Sequence, residues 1–323
     1  MPKISVVIPA YNAERTIKET IESVQKQTFS DFELIIINDG STDRTLEILQ
    51  SIEDSRLKIL SYLNGGLSVA RNRGISQATG EFIAFLDADD FWKSDKLERQ
   101  LAVLEQHPDA GVAYSWTYFM NEREKCLFLG SRLSYEGNVY ADLLLKNFLA
   151  NGSNPLIRRQ AIESVGEFDP TLSHFADWDY WLRLARNWPF VVVSDYQIFY
   201  RQSSSTMSSK VEGIKEEGLF MIEKAFQSAP EEFRSLKNRS LCMLFQYCTE
   251  LYLQHRTDSN GLQKAGQNMW IAIRLYPQTL LEQETQKLVI KFILKRLVPA
   301  SFARHLLQLF RKLRTNPEHS FSR

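Results

Sequence analysis

Phe32-Glu33-Leu34-Ile35-Ile36-Ile37-Asn38-Asp39-Gly40-Ser41-Thr42-Asp43 is the stretch whose reading decides the fold. Residues 32–37, apolar except for Glu33, form a run too short for a helix and rich in isoleucine, so they read as a strand buried on both faces. The polar residues that follow lead into a helix over 43–52, with Ser41, Thr42 and Asp43 as the candidates for its cap. Working outward, the same alternation recurs. Strands are expected at 4–8, 57–60, 81–86 and 111–119, and helices at 12–28, 67–77 and 95–106. Strands apolar on both faces and separated by helices imply an α/β fold with a mostly parallel sheet flanked by helices.

In such sheets ligands bind beyond the carboxyl ends of the strands. Three polar clusters fall there: Pro9-Ala10-Tyr11-Asn12, Asn38-Asp39-Gly40 and Asp87-Ala88-Asp89-Asp90. Asp87 and Asp89 are two apart at a strand end, so their carboxylates project to one side. They form either a hard-oxygen site for a divalent cation or a polar turn that caps the next helix. Asp39 either accepts hydrogen bonds from a nucleoside or caps a helix. Arg71 is placed to neutralise a diphosphate, to brace the carboxylates, or simply to face solvent. A second acidic cluster, Ala176-Asp177-Trp178-Asp179, opens a helix expected over 177–187. One of its aspartates is expected to cap that helix, and the other to face a cleft as a general base, if the pair does not merely complement the helix dipole.

Equal numbers of basic and acidic residues, 39 each, argue against a nucleic-acid binder. Three cysteines without a CxxC pair argue against a disulfide framework or structural zinc. No apolar run is long enough to cross a bilayer, and a soluble, cytoplasmic protein is expected. A dinucleotide GxGxxG, a P-loop, a GxSxG elbow and HExxH are all missing from the sequence.

Strands are also expected at 153–158 and 190–194, after which the texture changes. Beyond a serine-rich stretch at 203–209, helical periodicity occupies 212–227, 232–253, 263–276, 280–297 and 302–313. The expected domains are therefore 1–209 and an all-helical 210–323. Residues 286–323 hold nine basic residues and one acid, so they carry +8 and the rest −8. Leucine and phenylalanine recur between those charges at helical spacing. That is either a basic amphipathic helix for an anionic membrane surface or a helix packed on its own domain.

Together these residues resemble a family 2 glycosyltransferase of GT-A fold. The motifs that carry the resemblance are residues 5–12, 33–43, 66–74 and 85–90, followed more loosely by Gly166-Glu167-Phe168-Asp169, residues 177–183 and Tyr200-Arg201. The resemblance spans about 3–207. It implies that Pro9, Tyr11 and Asp39 line a nucleoside pocket and that Asp87 contacts the ribose. It further implies that Asp89 ligates Mn²⁺ or Mg²⁺, that Asp177 is the general base, and that Arg201 contacts the diphosphate, beside Arg71 as a candidate for the donor side. Two positions depart from the pattern: Ala176 stands where Glu is common before the base, and Gln202 and serines stand where a His is common after the arginine. QxxRW is missing, which points to addition of a single sugar. The implied reaction is inverting, metal-dependent hexosyl transfer from a nucleotide sugar, UDP before GDP or dTDP. The acceptor would be a glycan or lipid-linked hydroxyl, as in cell-surface polysaccharide synthesis at the inner face of the plasma membrane. A noncatalytic sugar-nucleotide binder and a membrane-surface adaptor are the competing readings.

Overall fold

A computed structural model describes residues 1–121, 126–202, 211–255 and 258–297. Two compact units divide the chain, Met1–Ser204 with Phe220–Leu236 and Ser205–Leu219 with Lys237–Arg323. The expected boundary at 209 and the expected helix at 302–313 lie outside the described residues.

The first unit is a mixed sheet between helices. Its strands are β1 (Ile4–Ala10), β2 (Phe32–Asp39), β3 (Leu57–Tyr62), β4 (Phe82–Phe85), β5 (Phe91–Trp92), β6 (Val112–Asn121), β7 (Cys126–Leu129), β8 (Leu156–Arg158) and β9 (Phe190–Gln202). They lie in the order β3-β2-β1-β4-β8-β6-β9-β5, with β7 on β6. β1 to β4 pair in parallel, β8 is antiparallel to both β4 and β6, and β9 runs parallel to β6. Most strands therefore point one way. Ala10 stands opposite Asn38 and Asp39 opposite Tyr62, so the polar segments after β1, β2, β3 and β4 share one edge.

The helices between them are α1 (Ile17–Gln25), α2 (Thr45–Gln50), α3 (Leu67–Gln77), α4 (Lys96–Gln106), α5 (Tyr140–Leu145), α6 (Arg159–Val165) and α7 (Ala176–Ala185). α1 turns Ile17, Ile21 and Val24 into the core, the 3.6-residue period that marked it in the sequence. α3 lies close on the sheet because of Gly74, where a Cβ would sit 2.1 Å from Val7 Cγ1. Of the candidates for the cap of α2, Asp43 is the one that accepts the Thr45 N–H, at 2.9 Å, and the helix starts at Thr45, two residues later than expected. β9 is also longer than the expected 190–194. Ser194 and Asp195 interrupt its apolar pattern, but register shifts around Trp116 absorb them as a bulge and the strand continues to Gln202.

The second unit draws on α8 (Val211–Ser228), α9 (Lys237–His255), α10 (Ser259–Leu275) and α11 (Gln283–Leu297). Cys242, Phe245 and Ala272 form a small core between α9 and α10. α11 spends much of its charge internally: Lys291 bonds Glu250, Lys295 bonds the Leu253 carbonyl and Lys287 bonds Glu284. Ile290 and Ile293 remain exposed. No helix among the described residues is long and apolar enough to cross a membrane.

Candidate functional site

The edge where β1, β2 and β4 end carries the sequence-derived candidates. Pro9 is buried within β1, opposite Ile37. It lies beyond the reach of β4, whose ladder with β1 stops at Val7, so its missing N–H costs no sheet bond on that side. Tyr11 is exposed just past the strand. Asn12 follows with φ 48° and accepts the Thr42 N–H at 2.8 Å, tying this turn to the one after β2.

Asp39 is buried and heavily engaged. Its carboxylate accepts N–H bonds from Gly65 and Gly66, at 2.8 Å for Gly66, and an ion pair from Arg73 at 2.7 Å. The glycine pair thus belongs to Asp39, which draws residues 63–66 over the β2 end; Gly66 adopts φ 86°, open only to glycine without strain. Arg73 also lies over the Tyr62 ring.

After β4, the 87–90 turn is held from several sides. Arg71 is turned inward, only 2% exposed, and its Nη2 lies 2.7 Å from Asp87 Oδ1. Of the three roles open to it, bracing a carboxylate is the one this geometry displays. Thr16, just before α1, and Thr20 within it donate to the Ala88 carbonyl, and the Thr20 hydroxyl is shared with the Asp90 carbonyl. The Asp90 side chain is fully buried. It accepts the Ser153 hydroxyl at 2.6 Å and the Arg201 N–H at 2.9 Å. Burial, with the charges of Asp89 and Asp87, raises its carboxyl well above the ordinary range. Arg201 donates from Nε to the Asp89 carbonyl and from Nη2 to Glu19, each at 2.7 Å. Asp89 itself reaches the surface.

Asp177 begins α7 and is joined to this cluster electrostatically. Burial raises its carboxyl above the usual value, Arg71 opposes that shift, and Asp87 adds to it. Its Oδ1 accepts the Trp178 N–H at 2.7 Å and its Oδ2 accepts Asn147 Nδ2 at 3.3 Å. The Tyr200 phenol is pushed upward by burial and then by Asp90, Asp87, Asp89 and Asp177 together. One ring on β9 therefore senses all four carboxylates, which come from segments far apart in the chain. The expected capping role of this cluster is corrected: no side chain caps α7. Asp179 instead pairs with Arg183 and with Lys224. Ala176, just before Asp177, is buried.

Glu19, Asn147 and Ser153 were missed by sequence reasoning. An isolated Asn or Ser has no motif, and only the fold brings these beside the aspartates. Among the described residues no three His, Cys, Asp or Glu side chains are grouped as a metal cage. The donor set present is Asp87, half engaged by Arg71, and Asp89. That suits a hard cation keeping water and taking its remaining ligands from a bound diphosphate.

The sequence pattern described as "Glycosyltransferase like family 2" matches residues 5–275. The chain belongs to glycosyltransferase family 2. This glycosyltransferase is 35% identical over 190 residues to a putative teichuronic acid biosynthesis glycosyltransferase, TuaG, of Bacillus subtilis, across 57% of its own chain and 73% of that relative. It is 29% identical over 206 residues to an uncharacterized glycosyltransferase of Methanocaldococcus jannaschii, across 62% and 71% of the two chains. Among solved structures, the mannosyltransferase PcManGT of Pyrobaculum calidifontis, in complex with GDP-Man and Mn²⁺, superposes with TM-score 0.58 at 16% identity, covering 92% and 87%. S. aureus TarS 1–349 with UDP-GlcNAc does so with TM-score 0.56 at 19% identity, covering 85% and 92%. The shared architecture is the GT-A fold.

Proposed function

We propose that this enzyme transfers a single hexosyl unit, with inversion, from a nucleoside diphosphate sugar to a hydroxyl of a glycan or lipid-linked acceptor. The observation that carries the reading is the gathering of Asp87, paired with the buried Arg71 at 2.7 Å, with Asp89 and Asp177 around Tyr200. Pro9, Tyr11 and Asp39 form the nucleoside side of the site, Asp87 the ribose side, and Arg71 and Arg201 the diphosphate side. Asp177 takes the proton of the acceptor hydroxyl as that oxygen bonds to the anomeric carbon. The carbon–oxygen bond to the diphosphate breaks on the opposite face, and the nucleoside diphosphate leaves with the electron pair. One displacement inverts the stereocentre and gives a β-linked product from an α-linked donor. When bound, Mn²⁺ or Mg²⁺ held by Asp89 with the donor diphosphate offsets the charge that develops on the leaving group. Arg201 sits where it adds to that effect.

UDP-sugars are the proposed donors, and the teichuronic acid relative supports a cell-surface polymer as the acceptor class. The test is Asp177→Asn. Transfer should be abolished while donor affinity stays within about twofold, because the amide keeps the shape but takes no proton. Equal loss of binding and transfer contradicts the base assignment. Donor binding by the wild type without turnover across an acceptor panel would favour the noncatalytic reading. We further propose that the protein works in the cytoplasm at the inner face of the plasma membrane. The basic sequence beyond 297 and the exposed Ile290 and Ile293 support this. Co-sedimentation of the full chain with anionic but not neutral liposomes is expected, and no sedimentation with either refutes it.

A further inference from the structure

The segment 147–154, between α5 and β8, touches Asp177, Arg71, Asp87 and Asp90. Asn147 donates to Asp177 at 3.3 Å. Gly152 lies against Arg71 so closely that a Cβ there would stand 2.1 Å from Nη2. The Ser153 hydroxyl accepts the Asp87 N–H at 3.0 Å and gives its single proton to Asp90 Oδ2 at 2.6 Å. The segment is also anchored from behind. Asn154 exchanges two bonds with the Ser115 backbone, at 2.8 and 2.7 Å, as a strand neighbour would. The Trp92 indole N–H donates to the Ser153 carbonyl. Ala150, at φ 72°, holds a left-handed conformation that a non-glycine residue adopts only when its surroundings impose it.

We propose that segment 147–154 is the positioning element of this active site, with Asn147 orienting Asp177 and Ser153 fixing the 87–90 turn through the Asp87 backbone and the Asp90 carboxyl. The inference rests on the glycosyltransferase reading and deepens it. Directionality distinguishes it from plain packing. A serine hydroxyl has one proton to give, and its donation to Asp90 leaves the oxygen lone pairs for the Asp87 N–H. The Asn147 amide must present Nδ2 to a carboxylate, since its oxygen would repel it. Arg71 and Asp87 are the charged groups that bear on Asp177, Tyr200 is the phenol that senses it, and Asp142 on α5 and Glu163 on α6 are acids of the helices packed against α7.

Two variants of the full chain separate the two roles. In N147D a carboxylate replaces a donor, so Asp177 should titrate at higher pH by ¹³C-carboxyl NMR while Mn²⁺ affinity in the presence of UDP is unchanged. In S153A that affinity, read by electron paramagnetic resonance, should fall about tenfold, the usual effect of removing a group that orients a ligand, with Asp177 titration unchanged. S153C keeps the volume but has only a weak donor and should lose affinity in the same sense, which guards against a folding failure. S153A binding Mn²⁺ as tightly as the wild type overturns the proposal. So does movement of both properties together in every variant, in step with melting temperature. A wild type that binds Mn²⁺ and UDP but transfers no sugar refutes the enzymatic reading alone.

Discussion

Replacing Arg71 by methionine removes a guanidinium that is 2% exposed and 2.7 Å from Asp87 Oδ1, while keeping most of the apolar length. Breaking a buried ion pair from one side costs about 3–5 kcal/mol. Two features of this pair lower that figure. The Asp87 side chain is 22% exposed, so the stranded carboxylate is partly hydrated. Arg71 Nε is buried with no partner among the described residues, and losing it returns about 1–3 kcal/mol of desolvation. R71M should therefore cost only about 2 kcal/mol. Asp87→Asn leaves the more deeply buried member without its counter-charge and should cost more, about 3–5 kcal/mol. The double variant should fall short of the sum of the singles by at least about 1.5 kcal/mol. Urea unfolding of the four proteins, followed by near-UV circular dichroism, measures the cycle. Additive single effects, or an R71M cost below about 0.5 kcal/mol, would refute the account of Arg71 as a buried brace.

The pH dependence of turnover follows from Asp177. Burial raises its carboxyl and a base works only when ionised, so the acid limb of kcat should lie above about 3.9, the reference value for aspartate; a limb at or below it contradicts the assignment. R71M, which removes the opposing positive charge, should move that limb further up wherever residual turnover can be read. Lys96 offers a stability test: its amine is buried, has no partner among the described residues, and sits 3.9 Å from the Trp92 ring centre. Burial lowers its pKa well below the ordinary value. Between those two values the unfolded chain holds a proton that the folded chain releases, so the lysine costs stability, and that cost shrinks as pH rises toward about 10.4. A cation–π contact gives about 2 kcal/mol at most, less than the several of burying an ammonium. Lys96→Met should accordingly stabilise at pH 7 and do so less at pH 10.5, and equal effects at both would count against this reasoning. Gly74→Ala forces a methyl to 2.1 Å from Val7 Cγ1 and should destabilise by about 1–3 kcal/mol in a urea titration; a neutral result would mean that α3 can lift from the sheet at no cost.

Much of the fold was legible because its cause is local. Isoleucine-rich runs buried on both faces, spaced by helical periods, require a covered sheet wherever they occur. The interruptions mark the limit: Ser194 and Asp195 broke the apolar pattern of β9, and only its pairing with β6 reveals a bulge rather than an end. β5 escaped the reading because two residues carry too little periodicity to register, whereas β8 falls within the strand expected at 153–158.

For the site, the linear chain determined which residue types stand at the strand ends and helix starts, carboxylates and arginines among them, and membership of a family. Tertiary structure decided what each carboxylate faces. Asp90 and Asp89 are adjacent in sequence, yet one is buried against Ser153 and the other reaches the surface. Arg71 turned inward rather than to solvent, and a strained segment from 147 to 154 became the support for both halves. The reason is physical. Hydrogen bonds and Coulomb forces act over a few ångströms of space, and neighbours in space such as Ser153 and Asp90 are more than sixty residues apart along the backbone.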